Sequence, residues 1–96
     1  MPVIPDLRRL QAFVVVAEEL HFRRAAERLM MAQSPLSRLI KSFEHDVGVV
    51  LFVRNRRSVT LTAAGEAMLD AARDILKRTE RAIGRVQLMH SEKASR

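Results

Sequence analysis

Ser34, Ser37, Arg38 and Lys41 recur at spacings of three and four residues, with Gln33 beside the first of them. On a helix that spacing places them on one face. The set offers two hydroxyls, one guanidinium, one ammonium and one amide, without a carboxylate. Arginine can pair bidentately with a guanine edge and glutamine with an adenine edge. A helix N-terminus adds free backbone N–H groups and a positive dipole end suited to phosphate. A solvated polar face is the plain alternative. Against it stand the missing acids, a helix that precedes across a short turn, and a basic segment that follows.

That basic segment is Arg54-Asn55-Arg56-Arg57-Ser58, in which three of five residues are arginine. A planar guanidinium suits the enhanced negative potential of a narrow minor groove. Arginines that only keep a strand edge soluble are the alternative. Catalytic chemistry is poorly supported. His21, His45 and His90 are scattered without metal-ligand spacing. Gly48, Gly65 and Gly84 form no phosphate loop or nucleophile elbow. The chain has no cysteine, which excludes disulfides and thiolate metal sites. The expectation is a binding protein with no metal, no cofactor in this segment and no enzymatic activity.

The elements that must position these side chains fit one small domain. The chain has 96 residues, 48% of them apolar and 29% charged, with a net charge of +6. Residues 21–61 carry eight basic residues against three acids, whereas residues 1–20 carry two against three. The middle of the chain is therefore expected to face a polyanion, either nucleic acid or an anionic membrane surface. The first residues lack the basic and apolar blocks of a signal peptide, and no run approaches a bilayer span. A cytoplasmic location is expected. The four aromatics, Phe13, Phe22, Phe43 and Phe52, all occupy apolar-periodic positions. None is left as a stacking platform for single-stranded bases, which disfavours that kind of nucleic-acid binder.

Asp6 reads as an N-cap for a helix over about 6–19, with Leu10, Phe13, Val14, Ala17 and Leu20 facing inward. A second helix is expected from Arg23 to Met30, then a turn at Met31-Ala32-Gln33. Ser34 reads as the next N-cap, with Pro35 at the first helical position. The third helix carries Leu36, Leu39, Ile40 and Phe43 as its core stripe and stops at Gly48. Val49–Val53 and Val59–Leu61 then read as a hairpin. Thr62 caps a last helix extending to about His90, followed by a fraying polar tail over 91–96.

That last helix would span roughly 40 Å. Met68, Ala72, Ile75, Thr79, Ala82, Val86 and Met89 alternate by fours and threes, widened by Leu69, Leu76 and Ile83. Such an a/d seam suits a partner helix, and its distal half has nothing within the chain to bury against. The expected fold is mostly α: a winged helix-turn-helix of three helices and a short hairpin wing over 1–62, then a dimerising linker helix over 63–90.

Three stretches, Leu10-Gln11-Ala12-Phe13, Phe22-Arg23-Arg24-Ala25-Ala26-Glu27-Arg28-Leu29 and Ala32-Gln33-Ser34-Pro35-Leu36-Ser37-Arg38-Leu39-Ile40, resemble the N-terminal domain of LysR-type regulators. So do Phe43-Glu44, Leu51-Phe52, Arg54, Leu61-Thr62 and Ala64-Gly65. The resemblance covers nearly all of residues 6–76. It implies a bacterial transcription factor in which Gln33, Ser34, Ser37 and Arg38 contact DNA, Arg57 enters the minor groove, and residues 63–90 pair two subunits. Arg54 matches a frequent wing-strand arginine. It implies double-stranded DNA carrying an inverted repeat as one partner and a second copy of the chain as another, extending to a tetramer in a full-length protein. A small-molecule effector would act through a C-terminal domain of two α/β lobes, so the chain resembles a fragment. Arg23 departs from the family's usual helix-capping hydroxyl, which removes the cap and adds a cation near the DNA backbone. Met30-Met31 replaces a more polar or branched pair, and Ser34 stands where proline is frequent.

Two other readings compete. A basic amphipathic membrane-surface protein would use Arg73, Lys77, Arg78, Arg81 and Arg85, but acids intersperse them and no large aromatic anchors the apolar side. A helical protein–protein adaptor would leave the acid-free face of the third helix unexplained.

Overall fold

The computed structural model describes residues 4–94. In chain order it has α1 (Leu7–Glu19), α2 (Phe22–Arg28), α3 (Gln33–Val47), β1 (Phe52–Arg54), β2 (Val59–Leu61) and α4 (Ala63–Ala94). This is the mostly α, winged helix-turn-helix architecture with a long final helix.

Helix α1 begins where Asp6, in extended conformation, accepts the Arg9 N–H at 2.9 Å. It ends as Leu20 turns left-handed with φ of 50°. Leu20 therefore lies partly exposed, at 39%, rather than on the inward stripe. Helix α2 starts one residue before Arg23 and does have a cap: the Arg24 N–H donates to His21 Nδ1 at 3.2 Å. It stops at Arg28, short of Met30, because the chain closes a Schellman turn. Met31 N–H bonds to Ala26 O at 3.0 Å and Met30 N–H to Glu27 O at 3.1 Å, with Met30 at φ of 54°.

Helix α3 also begins earlier than its sequence suggests. Ala32, not Ser34, is the N-cap, and it makes no side-chain cap bond. Pro35 consequently sits two residues inside the first turn. The fold tolerates it there because the first four N–H groups of a helix lack intrahelical partners. Gly48, at φ of 80°, closes the helix as expected. The turn from α2 to α3 is tight, and the buried residues of α2 are only Ala25 and Ala26. Small side chains let α2 approach its neighbours closely.

The core unites all these elements. Phe13 of α1 stacks obliquely on Phe43 of α3 (ring centroids 5.2 Å) and on Phe52 of β1 (5.4 Å). Leu36, Ile40 and Leu51 are fully buried around them. The hairpin is antiparallel, with Phe52 opposite Leu61, Val53 opposite Thr60 and Arg54 opposite Val59. It is shorter than its β-branched run: Val49 and Val50 stay outside β1 and exposed. The N–H groups of Leu51 and Phe52 donate instead to the Glu44 carboxylate, at 2.8 and 3.2 Å.

Thr62 caps α4, accepting the Gly65 N–H at 3.0 Å while its hydroxyl donates to Val50 O at 2.9 Å. Gly65 is required here, since any side chain would strike the carbonyl oxygen of Leu51. The helix runs through the expected tail to Ala94; residues 95–96 of that tail lie outside the described residues. Its first turns belong to the core. Ala72, assigned by spacing to the partner seam, is 0% exposed within this chain, and Met68, Leu69 and Leu76 pack partly against the same core. Ile75, beside Leu76, is exposed, and further along so are Ile83, Val86 and Met89. The molecule measures 58 × 33 × 19 Å. Among the described residues, no helix is long and apolar enough to cross a membrane.

Candidate nucleic-acid interface

The apolar stripe of α3, Leu36, Ile40 and Phe43, is fully buried. Burial of that stripe fixes the rotation of the helix and turns the opposite face outward. Gln33, Ser34, Arg38 and Lys41 are exposed on it and Ser37 is half-buried. Because Ala32 occupies the cap position, the Ser34 hydroxyl is not spent on capping. The hairpin tip is held by Asn55, whose Oδ1 accepts the N–H groups of Arg57 and Ser58 at 2.9 and 2.8 Å. Asn55 N–H in turn donates to Ser58 O at 3.0 Å. Such a side-chain turn stiffens a loop whose cations would otherwise splay apart. Arg23, Gln33, Arg56 and Arg57 line one open cleft between the start of α2, the start of α3 and the wing. The structure therefore brings together residues separated by more than thirty positions in the chain.

Among the described residues, Arg23, Arg38, Lys41, Arg56 and Arg57 enter no salt bridge. The acids of α3 are occupied: Asp46 faces Arg9 at 3.5 Å and Glu44 faces Arg54 at 3.3 Å. The face thus keeps its cations free and its carboxylates neutralised, an arrangement suited to a polyanion.

Arg54 differs from the wing-tip arginines. Its guanidinium donates to Ser37 Oγ at 3.2 Å and to Glu44 Oε1 at 3.3 Å, and lies 4.6 Å from the centroid of the Phe22 ring. It is bound inward to α2 and α3. Sequence reasoning missed Glu44 and His21. Glu44 follows Ser37 and Lys41 on the same helical face, so the acid-free face ends there. A single carboxylate beside so many cations is the signal that it is paired. The cap at His21 had no such signal, because histidine is not among the usual capping residues.

Residues 7–66 match the family described as bacterial regulatory helix-turn-helix protein, lysR family. The chain belongs to the LysR family. The HTH-type transcriptional regulator YnfL of Escherichia coli (strain K12), itself uncharacterized, is 47% identical over 89 residues, covering 93% of this chain and 30% of YnfL. The DNA-binding domain of BenM, solved in complex with catB site 1 DNA, aligns with a TM-score of 0.87 at 34% identity. That alignment covers 91% of this chain and 97% of that one. The CbnR DNA-binding domain in its DNA complex gives a TM-score of 0.85 at 40% identity over 88% and 98%. This LysR-family chain is thus a helix-turn-helix DNA-binding domain with a linker helix, of a kind found in regulators rather than enzymes. It spans about a third of the length of the curated relatives it matches.

Proposed function

We propose that the chain binds double-stranded DNA sequence-specifically as a dimer, in the service of transcription regulation. The observation that carries this reading is the set of exposed cations on the outer face of α3, at the start of α2 and at the wing tip, none of which, among the described residues, forms a salt bridge. In this reading α3 lies in the major groove. Gln33 and Arg38 address base edges, Ser34 and Ser37 supply shorter contacts, and Lys41 meets a phosphate. The start of α2 brings Arg23 to the backbone, and Arg56 and Arg57 reach the adjacent minor groove. The distal half of α4 pairs with the same helix of a second copy, which sets two readers at a fixed separation and favours an inverted repeat.

Selection of bound sequences from a random duplex pool, followed by affinity measurements on the chosen site, tests the reading directly. Gln33→Ala and Arg38→Ala are each expected to cost about 1–3 kcal/mol at one position of the site and to relax preference there. Lys41→Ala is expected to weaken all duplexes alike. An unchanged ratio of specific to random affinity in both alanine variants removes α3 as the reader.

A further inference from the structure

The wing strand and α3 meet through one side chain whose position is unlike that of the other arginines. Arg54 is mostly enclosed, its side chain 24% exposed, and Glu44 is 16% exposed. Three groups hold the guanidinium: Glu44 Oε1, Ser37 Oγ and the Phe22 ring. Glu44 is itself anchored by the N–H groups of Leu51 and Phe52. A planar fork fixed on a carboxylate and an aromatic face has little freedom to turn toward DNA. Its effect on DNA must pass through what it holds, and Ser37 is the member of that set on the reading face.

A serine hydroxyl has one hydrogen to give and two lone pairs to accept with. At Ser37 an arginine N–H occupies one lone pair, and its positive charge, 3.2 Å away, draws electron density from the oxygen. The hydroxyl that remains is a better donor and a poorer acceptor. In the major groove guanine presents acceptors at N7 and O6, adenine at N7 and thymine at O4, whereas cytosine presents only its N4 amino donor.

We propose that Arg54 is a positioning residue for recognition: by donating to Ser37 Oγ it commits that hydroxyl to donate, so that Ser37 selects a base-edge acceptor and discriminates against cytosine. This rests on α3 being the major-groove reader. It assigns Arg54 no DNA contact of its own.

The test compares Ser37→Ala, Arg54→Met, Arg54→Lys and the double variant Ser37→Ala/Arg54→Lys. Each is scored by sequence selection from random duplexes and by affinity as a function of salt. Ser37→Ala is expected to lower preference about three- to tenfold at one base, where the parent disfavours cytosine. Arg54→Met and Arg54→Lys are expected to lose preference at that same base, with cytosine gaining most. Lysine keeps the charge but cannot serve carboxylate, hydroxyl and ring together, so it yields the result even if Arg54→Met fails to fold. The double variant is expected to be no worse there than Ser37→Ala alone. The salt dependence of Arg54→Lys is expected to match the parent's. A steady loss on every duplex, with the salt slope of Arg54→Met reduced by about one, would make Arg54 a phosphate contact and overturn the proposal. Additive losses at different bases would overturn it too. If Ser37→Ala itself leaves sequence preference unchanged, the reading role of α3 at this position fails along with it, an outcome separate from intact reading without coupling.

Discussion

At the scale of single residues, two backbone positions sit where side chains are disfavoured. Leu20 and Met30 are the non-glycine residues with positive φ among those described, at 50° and 54°. Each ends a helix, and in each the left-handed turn is imposed by the need to bring the next helix back onto the core. Met30 gains nothing from burial in return, since it is 93% exposed. The left-handed region costs an ordinary residue roughly 1–2 kcal/mol, and asparagine tolerates it better. Met30→Asn is therefore expected to raise stability by about 1 kcal/mol without altering the core, as read by thermal or urea unfolding. A neutral or destabilising result would mean that the methionine makes contacts that outweigh the strain of its backbone. The same substitution at the buried Phe13, Phe43 or Phe52 would have the opposite sign, because cavity formation dominates there.

At the scale of elements, one carboxylate ties three helices together. Glu18 of α1 accepts from Arg73 of α4 at 2.9 Å and from Arg28 of α2 at 3.1 Å, and Arg28 also donates to Glu19 at 3.0 Å. The Arg73 hydrogen bond is the largest influence on Glu18 and, with Arg28, it holds the carboxyl below its ordinary value against a smaller opposing effect of burial. Arg28 is correspondingly raised, first by Glu19 and then by Glu18. A carboxyl whose folded value is depressed binds fewer protons folded than unfolded. Its stabilisation is present above the unfolded value, roughly 4.3 for glutamate, and is lost as pH falls through the folded value. The melting temperature is therefore expected to fall from pH 5.5 to 3, and Glu18→Gln is expected to lower it at pH 7, where the stabilisation is fully present, and to flatten the dependence so that parent and variant converge near pH 3. Equal pH dependence in parent and variant would show that the cluster holds the helices by packing alone. Because the group is partly exposed, added salt is expected to shrink the effect.

At the scale of the whole molecule, α4 has two unlike halves. Its first turns are committed to the core through Ala72, Met68, Leu69 and Leu76. The distal half exposes Ile83 at 54%, Val86 at 65% and Met89 at 63%. An isolated helix derives most of its stability from packing, so a projecting apolar stripe is best accounted for by a partner helix. Removal of that surface from water would contribute about 25 cal/mol per Å². The parent is expected to sediment as a dimer at tens of micromolar, roughly the range for a modest helix–helix contact. Ile83→Glu is expected to shift it toward monomer. That variant is expected to keep its affinity for a single half-site and lose most of the advantage of an inverted repeat. A monomeric parent with equal affinity for full and half sites contradicts the dimer.

Much of this could be read from the chain alone, because spacing and charge are local properties. The stripe of Leu36, Ile40 and Phe43 dictates which face of α3 is buried, and so which face Arg38 and Lys41 occupy. Gly48 and Thr62 mark helix ends through backbone and capping chemistry that depends on a few neighbours. Other features were settled only by tertiary contacts. His21 caps α2 and Ala32 begins α3, against the usual capping preferences, since the placement of α2 and α3 on the core outweighs a cap worth about 1 kcal/mol. Ala72 has the spacing of a seam residue, yet the seam rotates past the core before it leaves it, and periodicity cannot say which turns are already covered. Arg54 shares its residue type and its neighbourhood with Arg56 and Arg57. Only the fold, by placing Glu44, Ser37 and Phe22 around it, turns that guanidinium inward while the other two remain free, because the pairing of a charge depends on what long-range folding brings within reach.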